Sequence, residues 1–148
     1  MDVTNEWYWE GNIVDAVIDY LVEGGWTIVS MADTYAKEHG EDIRALKDGR
    51  ALIVEAKGYP SRLYRDPRRV REKKRTNPST QAPKWYSHAI ITAMRLKHRN
   101  AAATVAVALP DIPRYRKLHE ETAESLSKLD VTMLFVGEEG DVERVGPL

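Results

Sequence analysis

The dipeptide Asp48-Gly49 constrains the fold of this chain more than any other feature, because it lies at the middle of the stretch EDIRALKDGRALIVEAKG. An Asp-Gly pair between two alternating runs favours a type I′ turn that joins two antiparallel strands with a two-residue loop. In such a hairpin, paired residues have numbers that sum to 97, since the turn occupies positions 48 and 49. The register therefore places Asp42 directly opposite Glu55.

Two carboxylates that face each other across a strand pair require a compensating cation or exposure to solvent. Directly opposed Cβ atoms lie about 5 Å apart, and like charges at that distance are destabilising. Lys57 follows Glu55 by two residues and points to the same face of the strand. A bulge or a longer loop would slip the pairing by one residue and place Glu41 or Ile43 opposite Glu55 instead. The Asp-Gly turn favours the register with Asp42.

Composition favours a single domain that spans residues 1–148, large enough to bury an ordinary core. The chain has no cysteine, which excludes structural disulfides and zinc sites built from thiolates. We expect a soluble, cytoplasmic protein without a membrane partner, because no apolar run reaches the length of a membrane span. The net charge of -1 gives no overall attraction to nucleic acid, so any such binding must come from local segregation of charge.

Apolar periodicity predicts the order helix, three strands, helix, strand, helix, strand. The helices are predicted at about Glu6 to Glu23, Thr80 to Arg99 and Tyr115 to Leu129, and the strands at Trp26 to Met31, within Asp42 to Lys57, at Ala103 to Leu109 and at Val131 to Val136. Pro83 is tolerable only if it lies in the first turn of the second helix. Glu138 onward is an acidic tail or a short edge strand. This order indicates an α/β fold with a mixed central sheet flanked by helices.

A segment at about 59–79 has no clear period and is predicted to be a long basic loop. Its cationic residues are Arg62, Arg65, Arg68, Arg69, Arg71, Lys73, Lys74 and Arg75. Loops of this length within a compact domain are usually functional or disordered, and arginine suits contact with phosphate. The segment either binds a nucleic-acid backbone or is a solvated insertion that binds nothing specific.

The paired carboxylates indicate a site for a hard cation. Mg²⁺ prefers one or two carboxylates together with water and phosphate oxygens, and the backbone carbonyl of Ala56 can contribute as well. A bound Mg²⁺ or Mn²⁺ would activate water and stabilise developing charge on a phosphate, while the ammonium of Lys57 could orient the nucleophile. This combination of groups suits phosphodiester hydrolysis.

The spacing of Asp42, twelve intervening residues, and then Glu55-Ala56-Lys57 resembles the motif of the PD-(D/E)XK (restriction-endonuclease-like) nuclease superfamily. The family core has the order αβββαβ, and this chain would add one helix and one strand to it. The resemblance implies that Asp42 and Glu55 hold the metal, with the Ala56 carbonyl, and that Lys57 acts in catalysis. The proline that begins the motif is replaced by Glu41, which makes Glu41 a rival to Asp42.

The resemblance extends to the two helices that flank the motif. Glu10 matches an acidic residue on the first helix that many members add to the metal site. Gln81 matches a catalytic glutamine that some subfamilies place on the following helix, where an aromatic residue comes four positions later, here Trp85.

The leading hypothesis is a Mg²⁺- or Mn²⁺-dependent DNA endonuclease, which nicks one strand as a monomer or cuts both as a homodimer. The alternative is a catalytically inactive module on the same fold that binds nucleic acid or supports an assembly. A third interpretation is a structural α/β domain whose Asp42 and Glu55 merely face solvent.

Other polar and aromatic clusters favour ordinary structural roles. His39, His88, His98 and His119 lack the spacing of metal ligands and suit the surface better. The cluster at 7–9 of two tryptophans and a tyrosine could stack on bases, but packing of the first helix is the favoured use. The segment 95–99 is either a basic face or the polar side of an ordinary helix.

Overall fold

The helices and strands follow the order that the sequence predicts. A computed structural model of the protein describes residues 5–31, 41–61 and 77–148. Its elements are α1 (Glu10–Glu23), β1 (Thr27–Met31), β2 (Ile43–Lys47), β3 (Arg50–Ala56), α2 (Pro78–Arg99), β4 (Thr104–Pro110), α3 (Pro113–Lys128), β5 (Val131–Val136) and β6 (Val142–Val145). The end of the chain, predicted as a tail or an edge strand, forms the edge strand β6.

The strands of the described ranges form one mixed sheet in the order β1-β2-β3-β4-β5-β6. β1, β2 and β3 pair antiparallel, β3, β4 and β5 pair parallel, and β6 returns antiparallel to β5. The parallel pairs need crossover connections, which contain α2 and α3. The predicted α/β class with a mixed sheet is therefore confirmed.

Two hydrophobic clusters cover the two faces of the sheet. α1 packs on one face, where Ile13 and Leu21 meet Leu52 and Val54 of β3. α2 and α3 pack on the other face, where residues such as Ala89 and Leu126 meet Ile53. Side chains of a strand alternate between the two faces, so Glu55, two residues beyond Ile53, points to the face that carries α2. No helix in the described ranges is both long enough and apolar enough to cross a membrane.

The hairpin between β2 and β3 has the predicted turn and register. Asp48 and Gly49 have φ values of 51° and 77°, as a type I′ turn requires at both positions. The paired residues run from Lys47 opposite Arg50 to Ile43 opposite Val54. The next pair outward joins Asp42, which immediately precedes β2, to Glu55 near the end of β3.

α1 begins at Glu10, four residues later than predicted. Trp9 precedes it in an extended conformation, with ψ of 140°, and its N–H donates to the carbonyl of Glu6 at 2.9 Å. Trp9 is buried, and its ring lies so close to Gly11 that a Cβ there would approach it to 2.1 Å. Packing of the Trp9 ring therefore holds the backbone extended before Glu10, so the residues from Glu6 to Trp9 stay outside the helix.

α2 begins at Pro78, and the prediction that Pro83 lies in the first helical turn was wrong. The side chain of Asn77 caps the helix by accepting from the N–H of Ser79 at 2.9 Å. Pro83 falls in the second turn, where it cannot donate to the carbonyl four residues earlier, that of Ser79. Arg114 of α3 donates to that carbonyl instead, at 3.2 Å. A contact from a distant element thus compensates for the proline.

The hydroxyl of Tyr115 ties α3 to the segment that follows β3. Tyr115 is fully buried, and its hydroxyl donates to the carbonyl of Gly58 at 2.7 Å. Its ring also meets Tyr59 edge to face, with centroids 5.1 Å apart. Burial raises the pKa of the Tyr115 phenol, so the hydroxyl stays protonated and remains a donor.

We expect Tyr115→Phe to lower the free energy of unfolding by about 1–2 kcal/mol, because the buried Gly58 carbonyl would lose its partner. Urea unfolding followed by tryptophan fluorescence measures this. Tyr86→Phe is the matched control: the Tyr86 hydroxyl bonds Thr122 Oγ1 at 2.6 Å, and Thr122 also bonds the Leu118 carbonyl at 2.8 Å. Equal losses in the two variants would contradict a special role for the Tyr115 hydroxyl.

Candidate active site

Asp42 and Glu55 form a hydrogen-bonded carboxyl pair where β2 begins and β3 ends. The side chain of Glu55 is 8% exposed, and the two carboxyl groups hydrogen-bond each other. Asp42 Oδ2 also accepts from the backbone N–H of Ala56 at 2.7 Å. The hairpin register brings these groups together, since it opposes the two acidic residues across the strand pair.

The pair shares a proton, because two carboxylates this close and this deeply buried cannot both ionise at low cost. Burial, together with the charges of Asp42 and Glu10, raises the pKa of Glu55 to about 8, against the opposing charge of Lys57. Burial also raises the pKa of Asp42, against the hydrogen bonds from Ala56 and Glu55 and the charge of Lys57. The proton therefore resides mainly on Glu55.

Lys57 lies beside this pair and is held against α2. Its backbone N–H donates to the Ala108 carbonyl at 3.0 Å, which continues the pairing of β3 with β4 beyond Ala56. Its ammonium lies 5.4 Å from the ring centroid of Trp85, a distance at which a cation is attracted by the aromatic face. Gln81 precedes Trp85 by four residues and lies on the same face of α2. The structure thus brings the predicted Lys57 and the flank of α2 that carries Gln81 together.

The carbonyl of Ala56 lies on the side of β3 that carries the carboxyl pair. The N–H and C=O of one strand residue point to the same side, and the Ala56 N–H points to Asp42. Oxygen donors from two carboxyl groups and one carbonyl are therefore directed to one region. Oxygen is the donor that Mg²⁺ and Mn²⁺ prefer.

Glu10 is the first residue of α1, and Gly58 allows it to approach the site. A Cβ on Gly58 would lie 2.6 Å from the Tyr8 carbonyl oxygen and 2.8 Å from the Glu10 nitrogen. The N–H of Tyr59 donates to the same Tyr8 carbonyl at 3.1 Å. This close backbone contact brings the charge of Glu10 within electrostatic reach of Glu55. Sequence reasoning did not identify Gly58, although a glycine directly after the Glu-Ala-Lys motif was the available signal.

Glu41, the rival of Asp42, is bound elsewhere. Arg44 Nε donates to Glu41 Oε1 at 2.7 Å, and this bond lowers the pKa of Glu41. Arg44 also reaches Asn100 Oδ1 at the end of α2, at 3.3 Å. Asp42 alone of these two acidic residues bonds Ala56 and Glu55.

No group of three or more acidic, histidine or cysteine side chains arranged to hold a metal occurs within residues 5–31, 41–61 and 77–148. The candidate centre therefore consists of two carboxyl groups and a carbonyl. The role of Glu10 as a further metal ligand stays a prediction, as do the catalytic roles of Lys57 and Gln81.

The remaining sequence candidates lie apart from the carboxyl pair or outside the described residues. The cationic residues of the predicted basic loop lie outside the described residues: Arg62, Arg65, Arg68, Arg69, Arg71, Lys73, Lys74 and Arg75. His39 lies outside them as well, while His88 and His98 are exposed. His119 is half-buried against Phe135. In the aromatic cluster Trp9 is buried, which agrees with its predicted packing role.

No protein family's sequence profile matches the chain, and no curated protein matches it. Its structure is similar to that of an XisH family protein from Nostoc punctiforme PCC 73102, with 17% identity and a TM-score of 0.53 over 90% of this chain and 98% of that chain. It is also similar to an fdxN element excision controlling factor protein from Anabaena variabilis, with 17% identity and a TM-score of 0.50 over 90% and 95% of the two chains. At this identity the likeness shows a shared fold.

The shared proton predicts a pH-dependent stability in EDTA. The folded pKa of Glu55, about 8, lies above the unfolded value of about 4.3, so the folded state keeps a proton that the unfolded state has lost. The wild-type free energy of unfolding should therefore fall as the pH rises from about 4 to 8. Glu55→Gln should remove this fall and be more stable at pH 8 by on the order of 2 kcal/mol. Urea titrations at several pH values measure both effects.

Glu41→Gln is the control for Glu55→Gln, since it removes a carboxylate one residue from Asp42 that is paired with Arg44. It should leave the fall in stability toward pH 8 unchanged, because the lowered pKa of Glu41 affects stability only in acid, and it should give no stabilisation. A Glu55→Gln variant that lost stability with pH in parallel with the wild type would contradict the shared proton.

Gly58→Ala should destabilise the fold by about 1–3 kcal/mol, because the added methyl would push the start of α1 away from β3. Gly24→Ala is the control: a Cβ there meets its nearest atoms at 3.4, 3.5 and 3.6 Å, and its φ of -79° suits alanine. Thermal unfolding compares the two variants. A melting temperature of Gly58→Ala equal to that of Gly24→Ala would exclude the close contact.

Proposed function

We propose that the protein is a metal-dependent endonuclease that hydrolyses phosphodiester bonds in DNA on a restriction-endonuclease-like core. The observation that carries the proposal is the carboxyl pair of half-buried Asp42 and buried Glu55, with the ammonium of Lys57 held beside it over Trp85. A structural role alone does not account for this arrangement, because opposed buried carboxyl groups destabilise a sheet.

The donor set suits a hard divalent cation such as Mg²⁺ or Mn²⁺. A cation would replace the proton that Asp42 and Glu55 share and would balance their charge. Two carboxylates and the Ala56 carbonyl leave several coordination positions for water and phosphate oxygens, as Mg²⁺ prefers. When bound, the metal would polarise the scissile phosphate and lower the pKa of an attacking water.

The chain's own residues would position the substrate and balance its charge. Asp42 and Glu55 hold the cation, and Glu10 contributes negative charge from the start of α1. The face of the Trp85 ring attracts the ammonium of Lys57 and orients it. In this position the ammonium can donate to a phosphate oxygen or hold the nucleophilic water. Gln81, on the same face of α2, is positioned by the helix to hydrogen-bond the same phosphate.

The structural neighbours support a role on DNA. One is described as an XisH family protein and the other as a controlling factor in the excision of the fdxN element. The proposal takes from them only that a protein of this fold participates in an excision process. The chemistry is argued from the carboxyl pair.

Purified protein should nick supercoiled plasmid in the presence of Mg²⁺ or Mn²⁺ and lose this activity in EDTA. Asp42→Asn and Lys57→Ala should each lower the cleavage rate by at least about 100-fold, because each removes charge from the site of transition-state stabilisation. Lys128→Ala, which removes an exposed cation at the end of α3, is the control and should cleave at the wild-type rate. Open-circle and linear products, separated on a gel, distinguish a monomer that nicks from a homodimer that cuts both strands.

Two results would contradict this assignment. Cleavage by Asp42→Asn at the wild-type rate would place the activity elsewhere. Salt-dependent DNA binding that survives Asp42→Asn, without cleavage at any metal concentration, would instead identify the inactive binding module.

A further inference from the structure

Charge is segregated between the helices on the two faces of the sheet. α1 carries four acidic residues and no basic residue: Glu10, Asp15, Asp19 and Glu23. α2 carries four lysines or arginines, two histidines and no acidic residue: Lys84, Arg95, Lys97, Arg99, His88 and His98. The net charge of -1 therefore conceals an acidic helix, α1, on one face of the sheet and a basic helix, α2, on the other. Nucleic acid is attracted to the face that carries α2.

Four of the α2 side chains form one stripe along the helix. Lys84, His88, Arg95 and Arg99 are exposed, and their spacing of four, seven and four residues places them along one side of a helix. We call these four residues the α2 stripe. Lys97 lies outside it, because its ammonium donates to the Ala103 carbonyl at 3.0 Å.

The cations of the α2 stripe have no acidic partner within residues 5–31, 41–61 and 77–148, in contrast to Arg116 and Lys128 of α3. On α3, Arg116 pairs with Asp111 and Glu143, and Lys128 pairs with Glu124. A polar helix surface that served only solubility would carry charges of both signs. The unpaired stripe suits an anionic partner.

The stripe runs along the flank of α2 that faces the candidate active site. His88 is three residues from Trp85, the residue that holds Lys57, so the two are neighbours on the helix surface. At the far end of α2, Asn100 binds Arg44 of β2, which places this flank beside the β2–β3 hairpin. The opposite flank faces α3, where Tyr86 binds Thr122.

We propose that the α2 stripe binds the phosphate backbone of the DNA next to the scissile bond, along the flank of α2 that faces the candidate active site. This inference rests on the proposed nuclease function and specifies where the substrate lies. From Lys84 to Arg99 the helix rises about 22 Å, which matches about six phosphates of one strand. Beyond Glu10, which lies near the carboxyl pair, the acidic residues Asp15, Asp19 and Glu23 of α1 lie on the other face of the sheet and would repel the same backbone, which favours DNA on the α2 side.

The test measures binding of a short DNA duplex by fluorescence anisotropy in EDTA, which prevents cleavage, at several salt concentrations. The double variant Arg95→Gln/Arg99→Gln should bind at least about tenfold more weakly at 0.1 M salt. It should also flatten the slope of log K against log salt by about 2, since each lost phosphate contact contributes about 0.9. The matched control, Lys117→Gln/Lys128→Gln, removes two exposed cations from α3 and should keep the wild-type affinity and slope.

The outcomes separate this inference from the proposed function. If the wild type binds and cleaves DNA but Arg95→Gln/Arg99→Gln keeps the wild-type affinity and slope, the stripe does not contact the backbone and the nuclease function stands. Equal weakening by the α3 control would show a general effect of net charge and also overturn the inference. A wild type that neither binds nor cleaves DNA would overturn both.

Discussion

The opposition of Asp42 and Glu55 is the constraint on which the rest of the structure depends. A type I′ turn at Asp48-Gly49 sets it, because the two-residue loop leaves only one register for β2 and β3. The register places two carboxyl groups in contact near the end of the buried strand β3, where both cannot ionise at low cost. Three neighbouring features relieve this cost in part: a backbone N–H, a shared proton and the ammonium of Lys57.

A sheet tolerates such a pair only where the surrounding packing is strong. β3 is central in the sheet and is covered by α1 on one face and by α2 on the other. The segment just beyond β3 is held from both sides, since the Gly58 backbone meets the start of α1 and its carbonyl accepts from Tyr115. Stability from these contacts therefore maintains a local arrangement that is electrostatically unfavourable without a cation. Functional sites commonly show this compromise between stability and activity.

The charges around the carboxyl pair determine whether a phosphate backbone can bind at the site. Negative groups at the centre of a site would repel a phosphate backbone unless cations surround them. A lysine held over Trp85 and the α2 stripe supply positive charge on the same face, whereas the acidic residues of α1 other than Glu10 lie on the other face. A divalent cation between the carboxylates completes this pattern in the proposed function.

The sequence by itself determined the order of the elements, the α/β class and the register of the hairpin, because each follows from local periodicity or from one turn. It also identified the Asp42 and Glu55 pair, since register alone opposes them. Only the tertiary structure decided the start of α1, the accommodation of Pro83 by Arg114, and the contacts of Lys57 with Trp85 and of Gly58 with Tyr8. Many of these contacts join residues far apart in the chain. Their partners are chosen by how the helices pack on the sheet, which periodicity does not encode.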